Sequence, residues 1–242
     1  MPTAVLLSGG LDSAVLLAEE AARADVQPIY VSVGLAWEPA ERDMVGRFLA
    51  AIGSTFHLRP LVSLSIDMRD VYPSTHWALV GRPPAYHTPD EDVYLPGRNV
   101  VLLGKAGVFC AMARIGRLVL GTLDHNPFPD ATPAFRTAMA DALSKGLGWR
   151  LDIDAPYAGV SKADVIHRGA ALGLPLELTL SCMNPMAGPP ATAPERSGAA
   201  RHCGLCSKCR ERHDAFLQAG LGDPTEYVDS RYVRPTRHGR QL

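Results

Sequence analysis

Short apolar runs alternate with amphipathic helical stretches along this chain, and that rhythm constrains its fold more than any other feature. The runs TAVLLS, QPIYVSV, TFHLRPL, RLVLGT and RLDIDAP have the length and composition of buried strands. Between them lie SAVLLAEEAARA, EPAERDMVGRFLAAIG, RNVVLLGKAGVFCAMARIG, TPAFRTAMADALSKGLG and SKADVIHRGAALG, which read as helices. The alternation predicts an α/β fold with a parallel sheet. Local signals sharpen two helix starts. Thr132 and Pro133 read as an N-cap followed by an N1 proline. Ser161 opens a capping-box-like Ser-Lys-Ala-Asp, and that helix ends at Gly173 ahead of Pro175.

Size and charge bound the function. A chain of 242 residues suits one large domain or a domain with an appendage, and 47% hydrophobic content supports a core that needs no staple to fold. Lysine and arginine total 24 against 25 acidic residues, a net charge of −1, which argues against nucleic-acid binding driven by bulk charge. Lysine is scarce, present only at Lys105, Lys145, Lys162 and Lys208. There is no apolar run of about 18 residues to span a membrane, and no signal-peptide pattern. Five cysteines, three of them close together, do not form a secreted disulfide framework. The expectation is a cytoplasmic protein.

The first strand candidate runs into Ser8-Gly9-Gly10-Leu11-Asp12-Ser13 and then a helix. Glycines there let the backbone turn sharply and approach a ligand with no Cβ in the way. The following helix offers free N–H groups and a partial positive charge, so the turn suits an anion. Ser8 and Ser13 have hydroxyls for phosphate oxygens, and Asp12 suits either a helix cap or Mg²⁺. The lysine of a Walker loop is absent. Lys162 stands in the first turn of the helix opened by Ser161, where the helix dipole disfavours a cation unless an anion sits nearby. The plain alternatives are an ordinary strand-to-helix turn and a solvated lysine.

Cys203, Cys206 and Cys209 follow a Cys-x2-Cys-x2-Cys spacing, with Cys182 upstream. Four thiolates close a tetrahedral Zn²⁺ site of the structural kind. Cys182, His202 and His213 all stand as candidates for the fourth ligand, and the same spacing occurs in iron–sulfur sites. Cys110, within GVFCAMA, reads as a core residue. Two segments break the α/β rhythm. Pro73 to Gly97 is long for a connection, as lids and disordered loops are. The tail DSRYVRPTRHGRQL carries Arg231, Arg234, Arg237 and Arg240, and reads either as a disordered end or as a cover for a neighbouring subunit or phosphate.

SGGLDS resembles the signature of the PP-loop ATP pyrophosphatases, which split ATP into AMP and pyrophosphate. More of the chain, through LPGRNVVLL, PFPDATPAF, APYAGVSKADVIHRGAALGLPLELTLSC and CGLCSKCRERHDAF, resembles the 7-cyano-7-deazaguanine synthases within that superfamily. The resemblance implies a Rossmann-like sheet with helices on both faces over residues 1–180. A zinc-binding segment at 181–242 would belong to the same compact unit. It implies ATP and Mg²⁺, a nucleotide loop formed by Leu7, Ser8, Gly9, Gly10, Leu11, Asp12, Ser13, Ala14, Val15, Leu16 and Leu17, and a structural zinc on Cys182, Cys203, Cys206 and Cys209. Asp12, Ser13 and Lys162 would serve the phosphates, and Arg98, Asn99 and Asp130 the substrate or nucleotide. Trp37 reads equally as a base-stacking residue or as core. The implied reaction joins 7-carboxy-7-deazaguanine and ammonia, through adenylated carboxylate and amide, into 7-cyano-7-deazaguanine for queuosine. It involves no direct nucleic-acid or membrane partner, and a homodimer is expected.

The segment VSVGLAWEPAER departs from that family's usual Tyr-Gly-Gln-Arg-His stretch, and TLSCM replaces TWSCY. A relative that adenylates another carboxylate, or couples a deazaguanine to a different amine, is the alternative. A non-catalytic nucleotide-binding or zinc-stabilised module is a third.

Overall fold

The computed structural model describes residues 2–124, 126–188 and 198–233. Five parallel strands, β1 (Thr3–Leu6), β2 (Val26–Ser32), β3 (Val62–Ser65), β4 (Arg117–Val119) and β5 (Asp152–Asp154), form one sheet in the order β3-β2-β1-β4-β5. The helices are α1 (Leu11–Ala21), α2 (Glu38–Ile52), α3 (Trp77–Val80), α4 (Arg98–Met112), α5 (Pro133–Leu147), α6 (Lys162–Ala171) and α7 (Ser207–Ala219).

Strand periodicity sends alternate side chains to opposite faces, and each face has its own core. Val5, Tyr30 and Val119 pack with α1, α2, α6 and α7. Ala4, Ile29, Val31 and Leu118 pack on the other side with Leu103, Ala106 and Cys110 of α4, Leu143 of α5, and Leu151. Helices therefore cover both faces, as expected, and Cys110 is a core residue. Burial pushes its thiol up to about 12, so it is inert at neutral pH.

One strand expectation is displaced. TFHLRPL does approach β2, since Val26 N–H donates to His57 O at 3.2 Å and Arg59 N–H to Val26 O at 2.9 Å. Pro60 then interrupts the ladder, because it has no N–H to donate. Regular pairing resumes only at Val62, opposite Ile29. Both helix-start signals are real: Thr132 Oγ1 accepts from Phe135 N–H at 3.2 Å, and Ser161 Oγ from Asp164 N–H at 3.1 Å.

The long Pro73–Gly97 segment is ordered. It holds α3 and a 3₁₀ turn at Asp90–Val93. Arg210 of α7 fastens it down, donating to the carbonyls of Tyr86 at 3.0 Å and Thr88 at 2.7 Å and pairing with Asp90 at 2.7 Å. Tyr72, Ala78, Val93 and Leu95 join Trp37, Met44, Met183 and the four clustered cysteines in a third core at the C-terminal edge of the sheet. Arg212, fully buried on α7, ties that helix to the preceding chain. It donates to Thr179 Oγ1 at 2.8 Å, Leu176 O at 2.8 Å and Thr225 Oγ1 at 2.5 Å. The arginine tail beyond residue 233 lies outside the described residues, as does the chain at 189–197.

Candidate functional site

The strand order reverses at β1, whose neighbours β2 and β4 connect outward in opposite directions. In such sheets ligands sit beyond the carboxyl ends of the strands at this switch point. Here it opens into a cleft of about 310 Å³.

The turn after β1 forms one wall. Gly9 has φ +75°, and a Cβ there would come within 2.9 Å of Val45 Cγ2. Only glycine makes that bend without strain. Ser13 Oγ donates to Gly10 O at 3.0 Å and accepts from Ser8 N–H at 3.2 Å, which holds the turn in shape. Gly10 caps α1 without any side-chain hydrogen bond, so the first-turn N–H groups are not used by a cap. The cleft is lined by Ser8, Gly10, Leu11, Asp12 and Ser13. Leu7, just after β1, and Ala14, Val15, Leu16 and Leu17 of α1, all expected as part of the loop, instead face the core. Gly121, after β4, lies so close that a Cβ would sit 3.2 Å from Ser13 N. It is a site residue the sequence reading missed.

Beneath the turn runs a line of alternating charge. Lys162 Nζ lies 3.1 Å from Asp12 Oδ2 and in shorter contact with Glu211 Oε1, and Lys208 contacts the other Glu211 oxygen. The conflict between Lys162 and its helix dipole is thus answered by two carboxylates of the chain itself. Burial pushes Lys162 down, but Asp12 and Glu211 outweigh it and hold the ammonium above its ordinary value. Burial likewise pushes Glu211 up, yet its two lysines bring it below the usual carboxylate range. Asp12 shares a single lysine, and burial wins there, raising its pKa. Its Oδ1 is buried and has no hydrogen-bond partner among the described residues. An uncommitted carboxylate oxygen beside an anion-binding turn is the donor chemistry Mg²⁺ takes.

The opposite wall begins at α4. Arg98 is its first residue, and its buried Nε has no partner among the described residues. Asn99 and Asp130 line the cleft but bond to each other, Asn99 N–H donating to Asp130 Oδ2 at 3.1 Å and its amide nitrogen to Asp130 O at 3.2 Å. Asp130 thereby caps α4. Trp37 is 6% exposed and stacks on Trp77, with ring centroids 5.9 Å apart and planes 9° from parallel. Both rings line the cleft, as do Phe128 and Tyr94, stacked at 5.1 Å. Trp37 is core and cleft wall at once. Glu41 also lines the cleft, and Tyr30 OH donates to its Oε2 at 2.8 Å.

The four cysteines Cys182, Cys203, Cys206 and Cys209 are buried, with their sulfurs all within 4.8 Å of one another. The pairs Cys206–Cys209 and Cys203–Cys209 are 3.5 Å and 3.9 Å apart. Tetrahedral Zn–S bonds of about 2.3 Å place sulfurs about 3.8 Å apart, so the group fits a zinc ion. Cys182 supplies the fourth thiol of the group. His202 Nε2 instead accepts from Ser181 N–H at 3.1 Å, and His213 faces Asp223 across 3.6 Å.

Lys208, Glu211, Glu41 and Trp77 escaped the sequence reading. Lys208 and Glu211 flank Cys209 on the metal-bearing helix, and their i,i+3 spacing was the one available signal.

Fold and site together define an α/β protein with a glycine turn suited to an anion at the switch point of a parallel sheet and a buried four-cysteine group fit for a metal beside it. Residues 3–220 match the family model described as Queuosine biosynthesis protein QueC, and the chain belongs to that family. A protein of Methanopyrus kandleri named 7-cyano-7-deazaguanine synthase is 33% identical over 94% of this chain and 99% of its own length. Proteins of the same name from Methylobacillus flagellatus and Thiobacillus denitrificans are 30% and 34% identical, over 95% and 93% of this chain and 97% of each relative.

Proposed function

We infer that this chain converts 7-carboxy-7-deazaguanine and ammonia into 7-cyano-7-deazaguanine in the queuosine pathway, using ATP to activate oxygen as a leaving group at each stage. The carrying observation is that the uncapped glycine turn opens onto the same cleft as Arg98 and the aromatic wall, within a chain that belongs to this family over residues 3–220.

A carboxylate resists nucleophiles because it is negatively charged and oxide is a poor leaving group. Transfer of AMP to its oxygen removes both obstacles, and ammonia then displaces AMP to give the amide. AMP transfer to the amide oxygen allows elimination to the nitrile. The protein's part is positioning and charge stabilisation. Ser8 and the first-turn N–H groups of α1 would hold the departing pyrophosphate, and Lys162 and Lys208 would offset its charge. Asp12 Oδ1 would bind Mg²⁺, which screens the phosphates when present. Arg98 suits the substrate carboxylate, since a guanidinium meets a carboxylate in a planar fork. Trp37, Trp77, Tyr94 and Phe128 supply aromatic surface for the deazapurine. The zinc would be structural, as four thiolates leave no open position. Val100, Val108 and Met112, exposed along one side of α4, support a homodimer, which light scattering would test.

The test is incubation of zinc-replete protein with ATP, Mg²⁺, ammonia and 7-carboxy-7-deazaguanine. Nitrile, AMP and pyrophosphate are expected. AMP formation that requires a different acid or amine points to the alternative coupling reaction, and absence of pyrophosphate release with every acid overturns the reading.

A further inference from the structure

Four acidic residues line the cleft: Asp12, Glu41, Asp130 and Glu211. Three of them have evident work. Asp12 and Glu211 are held by Lys162, and Asp130 caps α4. Glu41 has none. Among the described residues no cation lies within ion-pair distance of it, and its backbone already satisfies α2. Its side chain nonetheless runs directly under the phosphate turn, with Cγ 3.3 Å from the position a Gly9 Cβ would take. Its carboxylate is placed by Tyr30 OH of β2, which donates to Oε2 at 2.8 Å. The charged groups facing it are Arg98 at the start of α4 and Glu38 one turn earlier on α2. Glu38 is itself occupied, accepting from Ser32 Oγ at 2.5 Å, Val33 N–H at 2.8 Å and Gly34 N–H at 3.1 Å.

A carboxylate held between the phosphate turn and the aromatic wall, with no ion-pair partner among the described residues, has the placement of a proton acceptor. The reaction inferred above needs one, because ammonia is present mainly as ammonium at neutral pH and ammonium has no lone pair to attack with. We propose that Glu41 takes a proton from ammonium as it enters the cleft and so delivers ammonia to the activated carboxylate. This rests on the reading in the preceding subsection and adds a residue role to it.

The step balances. Ammonium gives one proton to Glu41 and becomes ammonia. The nitrogen lone pair forms the C–N bond, the C–O bond to AMP breaks with its electron pair staying on the phosphate oxygen, and the surplus N–H proton passes to the departing phosphate. Burial, only partly offset by Arg98 and the Tyr30 hydrogen bond, raises Glu41 to about 7. This matches a base working at neutral pH. Tyr30 stays a donor, since burial and the neighbouring Glu41 and Glu38 push its phenol far above the usual value.

Glu41→Gln keeps the shape and can still accept from Tyr30. With ammonia at about pH 7, amide and nitrile formation should fall about 10²-fold or more, while exchange of pyrophosphate into ATP, dependent on the acid, persists. Hydroxylamine, unprotonated at neutral pH, should restore turnover as hydroxamate, and the ammonia defect should narrow in alkaline buffer. Wild-type ammonia rates in this variant would overturn the proposal. So would equal losses with ammonia and hydroxylamine, or loss of exchange, which would assign Glu41 to binding. Tyr30→Phe gives a second reading: without its donor the carboxylate is harder to ionise, so the acidic limb of the ammonia-dependent rate moves to higher pH. An unmoved limb also overturns it. If the wild-type protein shows no exchange with this acid, the parent reading fails instead.

Discussion

Replacing Lys162 by methionine tests the charged line under the phosphate turn. The ammonium bridges Asp12 at 3.1 Å and Glu211 at closer range, and the three side chains are 13%, 22% and 23% exposed. Methionine keeps the straight chain and removes only the charge, leaving two carboxylates beside each other with Lys208 the remaining cation. Breaking a buried ion pair costs about 3–5 kcal/mol. These groups border a cleft, so the lower figure of about 3 kcal/mol applies. For a chain of this size that corresponds to a drop of about 6–12 °C in Tm. The pH dependence carries a sign. In the wild type Glu211 is depressed, so its pairing stabilises the fold above the ordinary carboxylate range and that stability fades as pH falls into acid. In the variant Asp12, already raised, loses its Lys162 partner and protonates more readily. Acid therefore relieves the variant, while the wild-type Glu211 pairing is still intact at pH 5, above the ordinary glutamate value of 4.5, so the gap between their melting points must narrow from about pH 7 to about pH 5. Melting followed by circular dichroism at both pH values reads this directly. An unchanged Tm at neutral pH, or a gap that widens in acid, would refute the electrostatic account.

Three further predictions follow from the same geometry. Gly9→Ala forces a Cβ at positive φ against Val45, costing about 1–2 kcal/mol from the backbone alone; thermal melting should show that loss, and calorimetry should show weaker ATP binding. Metal analysis should find about one zinc per chain, and Cys206→Ser should lose it, lower Tm and weaken ligand binding, because Trp37 and Met183 share a core with the cysteines. Arg212→Met removes the arginine donor from the Thr179 and Thr225 hydroxyls and one of several donors from the Leu176 carbonyl, which keeps the Thr179 hydroxyl and N–H, an expected cost of about 3 kcal/mol at most; hydrogen exchange should rise first in α7 and the segment around Thr179.

Much of the framework was readable from local pattern. Buried strands announce themselves by apolar runs, and helix starts by residues such as Thr132 and Ser161 whose side chains bond within their own turn. The glycine turn was legible for the same reason: its hydrogen bonds close within Ser8–Ser13. The third strand was misplaced because both TFHLRPL and the residues after it have strand character. The choice between them is made by a single missing N–H at Pro60 and by register with Ile29.

The cleft's other chemistry was not legible. Glu211 lies far along the chain from Asp12, and nothing in the pattern SKCRERH distinguishes its carboxylate from a solvated one. Only the packing of α7 beside α6 brings it to Lys162. Glu41 likewise reads as one acidic residue on an amphipathic helix until β2 and the phosphate turn close over it.

The sequence by itself determined the parallel α/β framework, the glycine turn and the three closely spaced cysteines, because each depends on short-range periodicity or spacing. Tertiary structure alone decided which charges lie buried together, which cysteine completes the four-thiol group, and that the long Pro73–Gly97 segment forms part of the cleft wall. Those outcomes arise from burial and from contacts between residues remote in the chain, where the cost of desolvating a charge is set by neighbours that no local window contains.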